Sequence, residues 1–240
     1  MSEKIRDKRE IERSEAFHKT AKILSGLLPA GGSAYELFTA LVKPLHEKRR
    51  EDWVREVTLQ LHKLESDGRI NMEELSENEE FNTVITKATL LAQQTHQKEK
   101  IEALRNVVVN AALKLPVQVT DFDLLDYFLT ILDQINPIQI LLLKVYKNPV
   151  EAASESGIDL TPFKESTSLL HGSEIKHLFY RIYPELKEKD TLVVYAWKEL
   201  IRIGFVQAEP ISKRVPSSSI LKIRTKKIGE QFLEMIEGEE

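Results

Sequence analysis

The last third of the chain constrains the fold most, because helical and extended patterns alternate within a short span. Asp190 can cap a helix over residues 191–203, and Gly204 is placed to end it. Two short apolar runs follow at residues 205–206 and 220–223, and a loop rich in proline and serine separates them. A second amphipathic pattern then begins. This order predicts a helix, a small β-hairpin and a closing helix.

Before residue 205 the chain has only helical patterns, with apolar residues three and four positions apart. Ser33 and Glu36 have capping-box spacing, and this start should lead to a helix ending near residues 67–68. Pro44 is expected to kink or split that helix. Ser76 starts a second capping box, whose helix can reach residue 115 unbroken or stop near residues 95–97.

Later helix starts are marked by proline. Asn136-Pro137 and Asn148-Pro149 each place a capping residue before a proline at the first helical position. The helices that follow, together with residues 173–186, would precede the helix at 191–203. The order of recognition helix, strand, wing, strand and closing helix is that of a winged helix-turn-helix.

We therefore predict a mainly α protein, with an N-terminal helical bundle followed by a C-terminal winged helix-turn-helix with a small β-hairpin. The predicted segments are a charged arm (1–15), a helical domain (16–118) and a winged-helix domain (119–240). The candidate core residues of the last domain are Tyr180, Ile182, Tyr183, Leu192, Val193, Trp197, Leu200, Ile201, Phe205, Ile223, Phe232 and Leu233.

Charge is unevenly distributed along the chain, which has a formal net charge of −4. Residues 121–170 hold three Lys/Arg against eight Asp/Glu, whereas residues 211–227 hold six Lys/Arg and no acid. Such a local excess of positive charge indicates a nucleic-acid contact or a solvated, charged face. The acidic segment weakens the first interpretation, since it would suit a basic partner.

Two short motifs carry a resemblance. Ile203-Gly204-Phe205-Val206 is similar to the Leu-x-x-x-Gly-Leu-Val type of exit into the second strand of winged-helix proteins, and residues 225–229 (Thr-Lys-Lys-Ile-Gly) look like the start of the helix after the wing. From Asp190 onward the chain thus resembles the bacterial winged-helix modules of MarR-like and PadR-like regulators. The N-terminal helices resemble only uncharacterised bacterial proteins.

The resemblance implies DNA contacts on the exposed face of the helix at 191–203 and at the wing. Basic side chains there would lie against phosphates, and DNA binding would then weaken as the salt concentration rises. In the other interpretation, the hairpin is charged because it faces solvent or a protein partner. Lys222 and Arg224 would then be the residues of the second strand whose side chains face outward. The candidate contact residues are Tyr195, Lys198, Arg202, Lys213, Arg214, Lys222 and Arg224.

A second candidate site is the segment 23–45, where two short apolar helices flank a Gly-Gly turn. With Leu27, Leu28, Gly31 and Gly32 at its centre, it would enter one face of a membrane or, as we favour, form a packed helix–helix turn. The sequence contains no run of eighteen apolar residues and no secretory signal pattern, so we expect a cytoplasmic protein without a membrane span.

Motifs for catalysis, metal and cofactors are absent from the sequence. It has no cysteine, no His-x-x-x-His pair, no phosphate-binding glycine loop and no Gly-x-Ser-x-Gly elbow. We therefore expect no catalytic residue, metal site, cofactor or small-molecule ligand. The hypothesis is a non-enzymatic binding protein with a protein partner or a homodimer; the alternatives are a DNA-binding regulator and a peripheral membrane or effector protein.

Overall fold

A computed structural model describes the backbone of residues 32–114, 119–164 and 173–238, and the side chains of residues 47–114, 122–164 and 174–238. The chain divides into two compact units, residues 1–51 and 52–240. The unit 52–240 contains all the buried side chains described below.

Helices dominate the described residues, as predicted. They are α1 (Gly32–Ser66), α2 (Met72–Glu77), α3 (Glu79–Gln94), α4 (Lys98–Leu113), α5 (Val119–Gln134), α6 (Pro137–Lys147), α7 (Pro149–Glu155), α8 (Thr161–Lys164), α9 (His177–Ile182), α10 (Asp190–Arg202) and α11 (Lys227–Ile236). Two 3-10 helices add Pro184–Lys189 and Ser217–Leu221, and two short strands are β1 (Ser173–Glu174) and β2 (Arg214–Val215).

The first helix confirms its predicted end. It begins at Gly32, one residue before the predicted cap Ser33, and ends at Ser66. Gly68 follows with a φ of 70°, a left-handed conformation that glycine adopts without steric cost. Of the two alternatives expected at Pro44, the split is wrong, because the helix is continuous through this residue, and the kink stays a prediction.

Residues 78–115 contain an interruption, the second of the two predicted alternatives. The helix α3 ends at Gln94 and α4 begins at Lys98. The start of α3 differs from prediction, because Asn78 rather than Ser76 caps it: the Asn78 side-chain oxygen accepts a hydrogen bond from the Phe81 amide at 2.7 Å.

Both Asn-Pro starts are confirmed. Asn136 and Gln139 form a reciprocal capping box at the start of α6. Asn148 caps α7 by accepting from the Glu151 amide at 3.3 Å. In each case proline occupies the first turn, where its missing N–H costs nothing.

One hydrophobic core extends from Trp53 to Ile236 and includes side chains from before and after residues 118–119, where a domain boundary was predicted. Polar contacts also cross this point. The side-chain amide of Asn106 donates to the Ile236 carbonyl at 2.9 Å, and that of Asn110 donates to the carbonyls of Met235 and Glu237 at 2.8 and 3.0 Å. Thus α4 supplies donors to the C-terminal end of α11, where a helix leaves carbonyls unpaired.

Extended pairing is limited in the described residues. Antiparallel β1 and β2 pair over two residues, and a single bridge joins Val206 to Thr225. The strand expected over residues 220–223 is wrong, since Ser217–Leu221 is a 3-10 helix. The backbone carbonyls of this turn accept hydrogen bonds from the Arg224 guanidinium, which stabilises the turn in place of a strand.

Candidate binding surface of the C-terminal helices

The helix α10 is fixed by one strongly apolar face. Val193, Ala196, Trp197 and Leu200 are buried. The Trp197 indole N–H donates to the Glu209 carbonyl at 2.7 Å, and its ring lies 5.1 Å from that of Tyr146, edge-to-face. Because this face is held by packing and by a hydrogen bond, the opposite face is presented to solvent in a defined orientation.

The end of α10 follows the prediction and its start does not. Gly204, with a φ of 81°, terminates the helix. Asp190 does not cap it, because its carboxylate accepts hydrogen bonds from Lys176 and from the Tyr180 hydroxyl. These two bonds lower the pKa of Asp190, and the carboxylate therefore stays ionised.

The outward side of α10 contains large side chains with an apolar or aromatic body. Leu192 is 44% exposed and Tyr195 is 59% exposed, and Tyr127 of α5 is 40% exposed. We call Leu192, Tyr195, Lys198, Arg202 and Tyr127 the α10 surface. The predicted residues Tyr195, Lys198 and Arg202 are exposed, as required for contact with a macromolecule.

The helix α5 lies beside this surface. A small cavity of about 190 Å³ is lined by Tyr195, Glu199 and Arg202 from α10 and by Ile131 and Gln134 from α5. A 2.7 Å ion pair with Glu199 holds Arg202 and raises the pKa of its guanidinium, with smaller contributions from Tyr195 and Tyr127. Arg202 is thus already engaged by an acid of its own helix.

Some of the basic side chains of the expected wing are exposed to solvent and one is buried. Lys213, Arg214 and Lys222 are exposed, as predicted. Lys213 forms a 2.9 Å ion pair with Glu209. That bond, with a further contribution from Arg224, lowers the pKa of Glu209 although partial burial acts to raise it.

The expectation that Arg224 faces outward is wrong, because its side chain is only 2% exposed. Its guanidinium donates to the carbonyls of Ser219 at 2.7 Å, Ile220 at 3.2 Å and Lys222 at 2.9 Å, and to the Glu209 carboxylate at 3.4 Å. Arg224 therefore holds the preceding turn together and is unavailable to an external phosphate.

Two core assignments are also corrected. Leu192 was expected in the core and belongs to the α10 surface, and Ile223 is 56% exposed. Ile223 faces outward because the segment before it is a 3-10 turn, which reverses the inside–outside alternation expected of a strand. Val193, Trp197, Leu200, Phe205, Phe232 and Leu233 are buried as predicted, while Tyr180, Ile182, Tyr183 and Ile201 are partly buried.

Sequence reasoning missed Tyr127 and Leu192 as surface residues. The spacing of Leu192, Tyr195 and Arg202 by three and seven positions places them on one side of a helix, and this was the available signal. The proximity of Tyr127 had no such signal, since it depends on how α5 packs.

Five cations of this region form no ion pair with any described acid. They are Lys198, Arg214, Lys222, Lys226 and Lys227. They leave a positive potential around the end of the segment 211–227, although Glu209 neutralises part of the charge predicted there.

The side chains of the second candidate site, the segment 23–45, lie outside the described residues. Leu27, Leu28 and Gly31 lie outside the described residues, and Gly32 is the first residue of α1. Membrane contact by this segment stays a prediction. Over the described part of the chain, no helix is long and apolar enough to cross a membrane, and no three His, Asp or Glu side chains are grouped closely enough to hold a metal ion.

Comparisons with protein-family models, with curated proteins and with solved structures found no match to this chain.

Proposed function

We propose that this protein is a non-enzymatic binding protein in which residues 137–237 form a winged helix-turn-helix that contacts another protein molecule. The order of elements supports the winged helix. The strand β1 precedes the helix pair α9 and α10, and it pairs with β2 from the segment that follows them. The Val206–Thr225 bridge then closes that segment before α11 begins.

The observation that carries the proposal is the composition of the α10 surface. Tyrosine and arginine are the residues most often responsible for affinity in protein interfaces, and an exposed leucine beside them adds apolar area. A helix that reads the major groove needs free Arg, Lys, Asn or Gln side chains at base edges. Here Tyr195 and Leu192 are prominent, and Arg202 is bound to Glu199.

The partner that we propose is a second copy of this chain. The α10 surface has apolar side chains and the positive charges of Lys198 and Arg202, and Glu199 beside them adds a negative charge. A two-fold interface brings the same patch from each subunit together, and a patch with both charges can complement itself. A partner of strongly basic or acidic character would not need this mixture.

Sedimentation velocity over a wide range of concentration tests this proposal. We expect a reversible dimer, and we expect Leu192→Glu to raise its dissociation constant by about tenfold or more, because the carboxylate would be desolvated opposite an apolar patch. The matched control is Leu59→Glu, an exposed leucine of α1. A chain that is monomeric throughout, or equal effects of the two substitutions, would contradict the proposal.

DNA binding is the second candidate, favoured by the cations without an acidic partner. Anisotropy of a labelled duplex of about 30 base pairs, measured at rising salt, tests it. If these cations bind phosphates, affinity falls steeply with salt, and Arg214→Glu/Lys222→Glu weakens binding relative to Lys63→Glu/Lys98→Glu, which changes the net charge equally. No binding at low salt would remove this candidate and leave the protein contact.

A further inference from the structure

A groove of about 830 Å³ lies between α4, α6, α7 and α11. Apolar side chains line part of it, namely Ile140, Leu141 and Val145 of α6 and Ile182 of α9. Leu141 and Ile182 are only partly buried, so apolar area remains accessible within the groove.

Carboxylates also line this groove. Glu99 and Glu102 lie on α4, Glu151 and Glu155 on α7, and Glu230, Glu234 and Glu237 on or just after α11. Lys144 and Lys147 are the lysines of the lining, and Lys147 is bound to Glu237 at 3.0 Å. The groove is therefore strongly negative at neutral pH.

Most of these carboxylates are not neutralised within the protein. Among the described residues, no ion pair involves Glu155, Glu230 or Glu234. The Glu155 carboxylate also contributes, after burial and Glu185, to a raised pKa of Tyr183 in the same groove. Like charges around a concave surface repel one another, and an entering cation relieves that repulsion.

The distribution of these carboxylates indicates which kind of positively charged ligand fits the groove. No three carboxylates of the described residues are close enough together to chelate a metal ion. The negative charge instead comes from three separate elements, α4, α7 and the end of α11, in a groove that also has accessible apolar side chains. Its complement is a ligand that combines an apolar face with several separated positive charges, as in an amphipathic helix rich in Lys or Arg.

We propose that this groove binds a basic amphipathic helix of a partner protein. The apolar face of that helix would pack on Leu141 and Ile182, and its flanking cations would pair with Glu155 and Glu234. This site goes beyond the proposed function, because the groove and the α10 surface have no residue in common. Substitutions at one site therefore test it without altering the other.

The probe is a labelled synthetic peptide with leucines at helical spacing and lysines at the other positions. Its binding to the full chain is followed by fluorescence anisotropy. We expect binding that weakens with salt and that drops about tenfold or more in Glu155→Lys/Glu234→Lys, since two attractive contacts become repulsive. Both positions lie in the last turn of a helix, where a cation is favourable, so the fold should tolerate the change.

Two controls separate the groove from general charge attraction. Glu77→Lys/Glu188→Lys alters the net charge equally at exposed positions outside the groove and should bind as the wild type does. A peptide of the same composition, with its leucines spread around the helix, should bind at least several-fold more weakly. Equal loss in both double variants, equal binding of both peptides, or no binding to the wild type would each overturn the proposal.

Circular dichroism and the urea midpoint of the groove variant establish that it is folded. Should it fail to fold, Glu155→Gln/Glu234→Gln replaces it, with an intermediate loss of peptide affinity expected. These measurements are independent of dimer formation, so a failure of the groove proposal leaves the α10 proposal standing, and the reverse also holds.

Discussion

Replacing Arg224 with methionine should lower the free energy of unfolding by about 3 to 5 kcal/mol. The substitution keeps most of the side-chain volume and removes the buried charge. It leaves the carbonyls of Ser219, Ile220 and Lys222 without their donor, in a turn that those bonds hold together. Each buried acceptor left without a partner costs about 1 to 3 kcal/mol.

Equilibrium urea unfolding, followed by circular dichroism, measures this effect. The matched control is Lys222→Met, an exposed neighbour that also loses one positive charge and should change the stability by no more than about 0.5 kcal/mol. If the two variants had similar midpoints and slopes, Arg224 would not stabilise the turn as described.

Replacing Gly229 with alanine should destabilise the protein by about 2 to 3 kcal/mol. A Cβ atom at this position would lie 2.5 Å from the Phe205 carbonyl oxygen and 2.9 Å from the Thr225 Cγ2 atom. The oxygen is fixed, because it accepts a hydrogen bond from the Lys226 amide at 2.8 Å. To admit the methyl group, α11 would have to move away from the start of the segment that follows α10.

The direction of the stability change in Gly229→Ala distinguishes the steric effect from helix propensity. Helix propensity alone favours alanine over glycine by about 1 kcal/mol, so a stabilised Gly229→Ala protein would contradict the close approach of the two backbones. Gly238→Ala is the control, since the atoms nearest to its added Cβ belong to the Asn106 side chain, at an ordinary contact distance of 3.7 Å. Thermal and urea unfolding of both variants provide the comparison.

The sequence predicted those elements whose causes are local. Asn136, Asn148 and Gly204 act on their own helix ends, so their types and spacing were enough to place α6, α7 and the end of α10. The buried face of α10 was likewise readable, because burial along a helix follows a period of 3.6 residues.

The errors concern residues whose environment comes from distant parts of the chain. An alternating pattern around Arg224 resembles a strand, but the pattern does not reveal that the guanidinium binds backbone carbonyls rather than water. Tyr127 and the acidic groove depend on how α5 and α11 pack, which no local spacing records. For the same reason, the sequence did not show that Arg224 is buried while the other candidate contact residues are exposed.

The contacts between α4 and α11 have a consequence for the order in which the protein can fold. Asn106 and the Ile236 carbonyl that it binds are 130 positions apart, and Asn110 binds carbonyls almost as distant. During synthesis, α4 leaves the ribosome long before its partner exists. The part of α4 that contacts α11 therefore stays without its partner until residue 236 has emerged, because contacts between distant positions form only after the intervening chain is available.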